Sequence, residues 1–185
     1  MMISKNLKKL EEKAEEVRLV NDKIKVRVIE FNFNRPYNTD EYKAIYDELD
    51  KIDVSLMVNN VGYGCLKDGL NYHTMSDHII ISLYQINLVP MIFMTKYFLN
   101  RALTRENKKS GIINVSSISS TFASPGSHLY SGSNAFIDNF TKSLAANPQY
   151  KNIDFLVLNT WIVTSNMNRG KVLFTTQPDD YTKQA

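Results

Sequence analysis

Residues 54–58, 112–115 and 153–158 are short, largely apolar runs, and each stops at a polar or glycine-bearing turn. Runs of that length without amphipathic alternation suit strands buried on both faces. Helical periods separate them. Residues 76–105 and 129–145 are long enough for helices, the first with Pro90 as its expected break. Upstream, Leu7, Leu10, Ala14 and Val17 recur at helical spacing and predict a helix over 5–20. Residues 24–31 alternate as a strand, and Asn38 with Glu41 three residues on reads as a capping box opening a helix to about Leu49. Strand and helix alternate throughout. That pattern predicts an α/β fold of βαβ units, a Rossmann-like doubly wound parallel sheet, with residues 1–185 read as one partial domain. Ligands of such sheets bind beyond the carboxyl ends of the strands, so residues 59–62, 116–117 and 159–164 are expected on one rim.

Charge and cysteine content narrow the chemistry. A net charge of +3 with scattered lysines gives no basic stripe, so no nucleic-acid partner is expected. Lys5, Lys8, Lys9 and Lys13 interleave with Glu11, Glu12, Glu15 and Glu16, the pattern of a solvated helix face. The one cysteine, Cys65, allows no internal disulfide, and His73, His78 and His128 lack zinc-ligand spacing, so no metal is expected. No signal peptide is read at the start. Residues 79–94 are the most apolar stretch, but Ser82, Gln85, Asn87 and Pro90 interrupt it; a buried helix pair is expected rather than a transmembrane segment.

The turns carry a constellation. Asn59-Asn60-Val61-Gly62 follows a strand, Ser117 precedes Tyr130 by thirteen residues, Asn87 lies within the long helical region, and Ile162-Val163-Thr164 follows the last strand. In this order they resemble the short-chain dehydrogenase/reductase family over nearly the whole chain. Leu56–Gly62, Ile113–Ser117 and Tyr130-Ser131-Gly132-Ser133 are similar to the very-long-chain 3-oxoacyl-CoA reductases and their relatives, the 17-beta-hydroxysteroid dehydrogenases. The resemblance implies reduction of a 3-oxoacyl-CoA or steroid ketone with NADP(H). Tyr130 would give the proton, Ser117 hold the carbonyl oxygen, and Asn87 join a water-mediated relay. Lys5, Asn59, Asn60, Val61, Gly62 and Thr164 would contact the cofactor. It also implies a homodimer through residues 76–105 and 129–145 and residence at the endoplasmic reticulum; the chain by itself reads as cytoplasmic. Each residue has a plainer reading: Ser117 as a strand-end serine, Tyr130 as a half-buried helix tyrosine, Asn59 and Asn60 as turn residues, Asn87 as a helix interruption, Lys5 as a solvated lysine.

The chemistry agrees with the resemblance. Reducing a ketone requires a hydride and a proton for the developing alkoxide. A tyrosine hydroxyl ordinarily ionises near ~10, and a neighbouring cation stabilises the phenolate. The family keeps lysine four residues after the tyrosine, on the same helix face. This chain has Asn134 there, a neutral amide that can bond a ribose but cannot tune the phenol. The Gly-x-x-x-Gly-x-Gly turn that approaches a pyrophosphate is also missing, Met1–Lys5 resembles the end of the family's second strand, and Asn32 and Asn159 replace an expected aspartate and proline. The C-terminal elements are expected to be lacking too. In the order 3-2-1-4-5-6, losing the first strand removes the bridge between residues 24–31 and 54–58. Two functions follow as expectations: an impaired ketone reductase, or a non-catalytic remnant acting as a binding or dimerisation module.

Overall fold

The computed structural model describes residues 1–64, 71–105, 108–164 and 175–184. Cys65, and Leu173 and Phe174 in the stretch expected to approach the end of the domain, lie outside the described residues. The chain divides into two compact units, Met1–Lys51 and Ile52–Ala185.

The first unit begins with strand β1 (Met2–Ser4), followed by helix α1 (Leu7–Val20), strand β2 (Val28–Glu30) and helix α2 (Thr39–Leu49). β1 and β2 pair in parallel, Ile3 opposite Ile29, with α1 as the crossover. Strand β2 is shorter than the expected 24–31 because the ladder is only as long as its partner: Met2 N–H opens it on the Arg27 carbonyl, and Ile24 is still turning on Asn21. Asn6 caps α1 by accepting from the Lys9 amide, while Leu10 and Ala14 bury the inner face. The charged face forms Lys13–Glu16 and Arg18–Glu15 pairs at i,i+3 spacing. Asn38 caps α2 as the sequence predicts, accepting from the Asp40 and Glu41 amides. The second half of a capping box is diverted, because the Glu41 carboxylate takes Arg35 at 2.6 Å. The inner face of α2 builds an aromatic cluster not foreseen in the sequence. Tyr42 meets Phe31 at 5.6 Å and Tyr37 at 4.9 Å, over buried Ile45. Burial pushes the Tyr42 phenol well above its ordinary range and the Tyr46 phenol up to about 12.

The second unit holds strand β3 (Leu56–Asn59), helices α3 (Asp77–Asn87) and α4 (Val89–Ala102), strand β4 (Ser110–Ser117), helix α5 (His128–Ala145), strand β5 (Ile153–Thr160) and helix α6 (Pro178–Gln184). Its sheet is parallel in the order β3-β4-β5. Among the described residues β1-β2 and β3-β4-β5 form two sheets. The helical region breaks at Leu88, with Pro90 in the first turn of α4 where its missing N–H costs nothing. Together Asp77–Ala102 make 26 residues, long and apolar enough to cross a membrane by length and composition, and 44% of their most apolar window is buried in the fold. Helix α6 was not expected. Its signal is Pro178 followed by Asp179 and Asp180, a proline and two acids in a first turn.

One face of the second sheet is covered. Ile112 and Ile153 lie on it beneath Phe98, Leu99 and Ala102 of α4. The opposite face is not buried as the sequence predicts: Leu56 is 54% exposed, Val58 53% and Leu156 44%. Their register neighbours on β4 are Gly111 and Ile113. Among the described residues β3 pairs only with β4, so its other ladder edge has no strand partner among them. The start of the sheet is tied by a charge cluster. Arg105 forks onto Asp53 at 2.7 and 3.2 Å and onto the Lys109 carbonyl and Ser110 hydroxyl, and Lys108 reaches Asp53 at 3.0 Å. These bonds hold the Asp53 carboxyl at about 2.

Candidate active site

The carboxyl ends of β3, β4 and β5 lie together because the three strands are parallel and in register, Asn59 opposite Asn114 and Ser117 opposite Thr160. The turn after β3 is held from both sides. Asn59 donates to the Asn114 side-chain oxygen at 2.8 Å and to Thr95 at 3.1 Å, and Asn114, fully buried, donates to Thr141 at 2.7 Å. This buried amide ladder ties β3, β4, α4 and α5 beneath the rim. Asn60, Val61 and Gly62 are exposed. A side chain at Gly62 would meet only the Asn87 oxygen at 4.0 Å, so its neighbours do not demand a glycine.

Asn87 closes α3 and is 4% exposed. Its oxygen accepts the Tyr63 amide at 2.7 Å; its nitrogen donates to the Tyr63 carbonyl at 3.0 Å and to the Ser133 hydroxyl at 3.2 Å. Both amide hydrogens are therefore used within the protein. Asn87 is a clamp on the backbone just past the glycine turn.

β4 ends at Ser117, whose hydroxyl oxygen accepts the Ser119 amide at 3.3 Å. Its own hydroxyl hydrogen remains to donate. Tyr130 is the third residue of α5 and is half-buried. Its helix turn is fixed to the strand end. The Ser116 hydroxyl donates to the Asn134 carbonyl at 3.1 Å and to its side-chain oxygen at 3.4 Å, and the Asn134 amide donates to the Tyr130 carbonyl at 2.8 Å. Ser131 binds the Ser119 carbonyl as well. Asn134 is 5% exposed and its amide turns inward along its own helix. Beyond β5, the Thr164 amide donates to the Thr176 carbonyl at 3.0 Å, the Thr176 amide to the Ile162 carbonyl at 3.1 Å, and Gln177 reaches the Thr164 hydroxyl at 3.4 Å.

The second unit thus contains Ser117, Tyr130, Asn87, Asn134, Asn59, Asn60, Val61, Gly62 and Thr164. Lys5 lies in the first unit, exposed just past β1. A family model described as short chain dehydrogenase matches residues 1–174. The chain belongs to the short-chain dehydrogenase family. Among curated relatives, human 17-beta-hydroxysteroid dehydrogenase type 3 is 29% identical over 188 residues, covering 100% of this chain and 58% of that protein. Very-long-chain 3-oxoacyl-CoA reductase-B of Danio rerio is 29% identical over 187 residues, covering 99% and 58%. The chain therefore spans little more than half the length of these relatives. Similar solved structures include a 7beta-hydroxysteroid dehydrogenase (TM-score 0.77, 15% identity, 99% of this chain and 66% of that one). A gluconate 5-dehydrogenase from Burkholderia cenocepacia J2315, in complex with NADP and tartrate, gives 0.72, 18%, 91% and 63%. At these identities the likeness concerns the fold.

Among the described residues the Ser117 hydroxyl hydrogen has no acceptor, and the helix turn of Tyr130 is bonded to the strand end that bears Ser117. The supporting residues Ser116, Ser133, Asn114, Thr95 and Thr141 were not read from the sequence. Asn114 alone gave a signal, as a polar residue inside an apolar strand run. Asn159 reaches Asp138 at 3.3 Å, and Asn32 accepts the Asn34 amide at 3.0 Å in a local turn. His128 is exposed and meets Tyr72 edge-on at 6.3 Å.

Proposed function

We propose that this chain is a ketone reductase acting on a 3-oxoacyl-CoA or steroid ketone with NADPH, and that its turnover is low. The observation that carries the reading is the seam Ser116–Asn134–Tyr130, which fixes the tyrosine's turn to the strand end bearing Ser117. NADPH, when bound, supplies the hydride. Ser117 donates a hydrogen bond to the carbonyl oxygen, where negative charge develops. Tyr130 delivers the proton to that oxygen. Asn87 holds the turn after β3 in place through Tyr63. The exposed Asn60–Gly62 turn and Thr164 are proposed to face the cofactor, and Asn59 to support that turn from beneath; a cofactor role for Lys5 is proposed on the family resemblance alone. Low turnover follows from Asn134, because a neutral inward-turned amide stabilises no phenolate.

The same observation favours a second reading, a non-catalytic binding or dimerisation module. A homodimer through residues 76–105 and 129–145 belongs to either reading. Exposed Ile81 and Tyr84 on α3 and Phe136, stacked on Phe140 of α5, support it. Residence at the endoplasmic reticulum is proposed on the subgroup resemblance. The deciding experiment mixes the purified chain with NADPH and either a 3-oxoacyl-CoA or a steroid ketone. Fluorescence then follows binding, and absorbance follows oxidation. Slow, ketone-dependent oxidation that disappears in Tyr130→Phe supports the reductase. Binding without oxidation supports the module.

A further inference from the structure

We propose that Ser133 is a positioning residue: its hydroxyl couples the turn after β3 to the helix turn that carries Tyr130. The proposal rests on the reductase reading for its catalytic consequence, and on geometry alone for the coupling. A helix serine that bonds back to its own preceding turn is ordinary. Thr141 and Ser143 do so farther along α5, to the carbonyls of Ile137 and Asn139. Thr141 also accepts the Asn114 amide of β4; Ser133 likewise has a second partner from another element, and its partner leads to the turn after β3. It accepts the Asn87 amide at 3.2 Å and donates to the Tyr130 carbonyl at 2.8 Å.

The hydroxyl is thus relayed in one direction, from Asn87 through Ser133 to Tyr130. Accepting from an amide strengthens the same hydroxyl as a donor. At its far end Asn87 holds the Tyr63 amide and carbonyl at 2.7 and 3.0 Å. One continuous set of bonds therefore runs from the backbone beside Gly62 to the tyrosine's turn. Ser133 is 6% exposed and Asn87 4%, so water does not substitute for either partner. Asn134 shares the Tyr130 carbonyl but connects it to β4; Ser133 alone connects it to Asn87.

The test compares Ser133→Ala with Ser133→Thr, which keeps the hydroxyl, and with Ser143→Ala, which removes a back-bond of the same kind that leads nowhere. The first readout, hydrogen–deuterium exchange at the Tyr63 amide, requires no cofactor. Ser133→Ala is expected to speed it about tenfold, since Asn87 loses one of its three anchors, while Ser133→Thr and Ser143→Ala leave it unchanged. The second readout is steady-state reduction. In Ser133→Ala, kcat falls about tenfold with KM for the ketone retained, and Ser133→Thr restores it. Unchanged Tyr63 exchange in Ser133→Ala, or an equal effect of Ser143→Ala, overturns the coupling. If the parent chain turns over no ketone, that failure belongs to the reductase reading, and the exchange result still decides the coupling.

Discussion

The side-chain amide of Asn134 donates to the main-chain carbonyl of Tyr130 at 2.8 Å, four residues back along α5. The position at which the family resemblance implies a lysine is spent here on bracing the helix turn. Asn134→Lys is expected to raise kcat/KM for ketone reduction about a hundredfold or more, in line with the general worth of tuned acid–base catalysis. It should also lower stability by about 1–3 kcal/mol, because the buried side-chain bond to the Tyr130 carbonyl is lost, while Ser116 keeps the main-chain carbonyl of residue 134. Steady-state kinetics and urea unfolding check the two effects. A folded variant with no gain in rate would sink the lysine argument.

Asn114→Ala is expected to cost about 1–3 kcal/mol, measured as a lower urea midpoint at constant slope. It strands Asn59 and Thr141 together, as both bond to the same fully buried amide. Because Asn59 leads directly into the turn, the variant should also weaken NADPH binding severalfold. An unchanged midpoint would show that the ladder carries no stability.

Acid should weaken the protein through Asp53. Its folded value, about 2, lies below its ordinary 3.8 because Arg105 and Lys108 bond the carboxylate. A depressed value stabilises the fold above the unfolded value and loses that contribution as pH falls towards the folded one. Thermal melts between about pH 4 and pH 2 are thus expected to show a flatter acid slope in Asp53→Asn than in the parent chain. Equal slopes would assign the acid sensitivity elsewhere.

The bare face of the sheet β3-β4-β5 gives a fourth expectation. Val58→Lys and Leu156→Lys, at positions 53% and 44% exposed, should each change stability by less than about 0.5 kcal/mol. Together they should reduce binding of an apolar dye and raise the concentration at which the chain stays dispersed. If they instead unfold the protein, that face is covered in solution.

The α/β class, four of the five strands, the break of the long helical region and the Asn38 cap were legible, because period and capping chemistry are local; β1 came only from the family resemblance. Burial of β3 on both faces was misjudged, since an apolar run reports what a strand tolerates and not what covers it. The supports of the candidate site were hidden for a related reason. Ser133 and Ser116 look like any helix or strand serine until Asn87 and Asn134, 46 and 18 residues away, arrive beside them. Arg35 taking Glu41 from its capping role is likewise a choice between partners that spacing does not rank.

A hydropathy scan sees Asp77–Ala102 as one span, yet Leu88 divides it, and Asn87 at the division makes three hydrogen bonds inside the protein. During synthesis those bonds do not become available together. Tyr63 has already left the ribosome when Asn87 emerges, but Ser133 follows 46 residues later. In that interval the segment is at its most span-like, held by Tyr63 alone. Release through the side of a translocon would carry the Asn87 amide into hydrocarbon, where an unsatisfied polar group costs several kcal/mol. The Asn87 amide is therefore fully satisfied only once α5 has arrived.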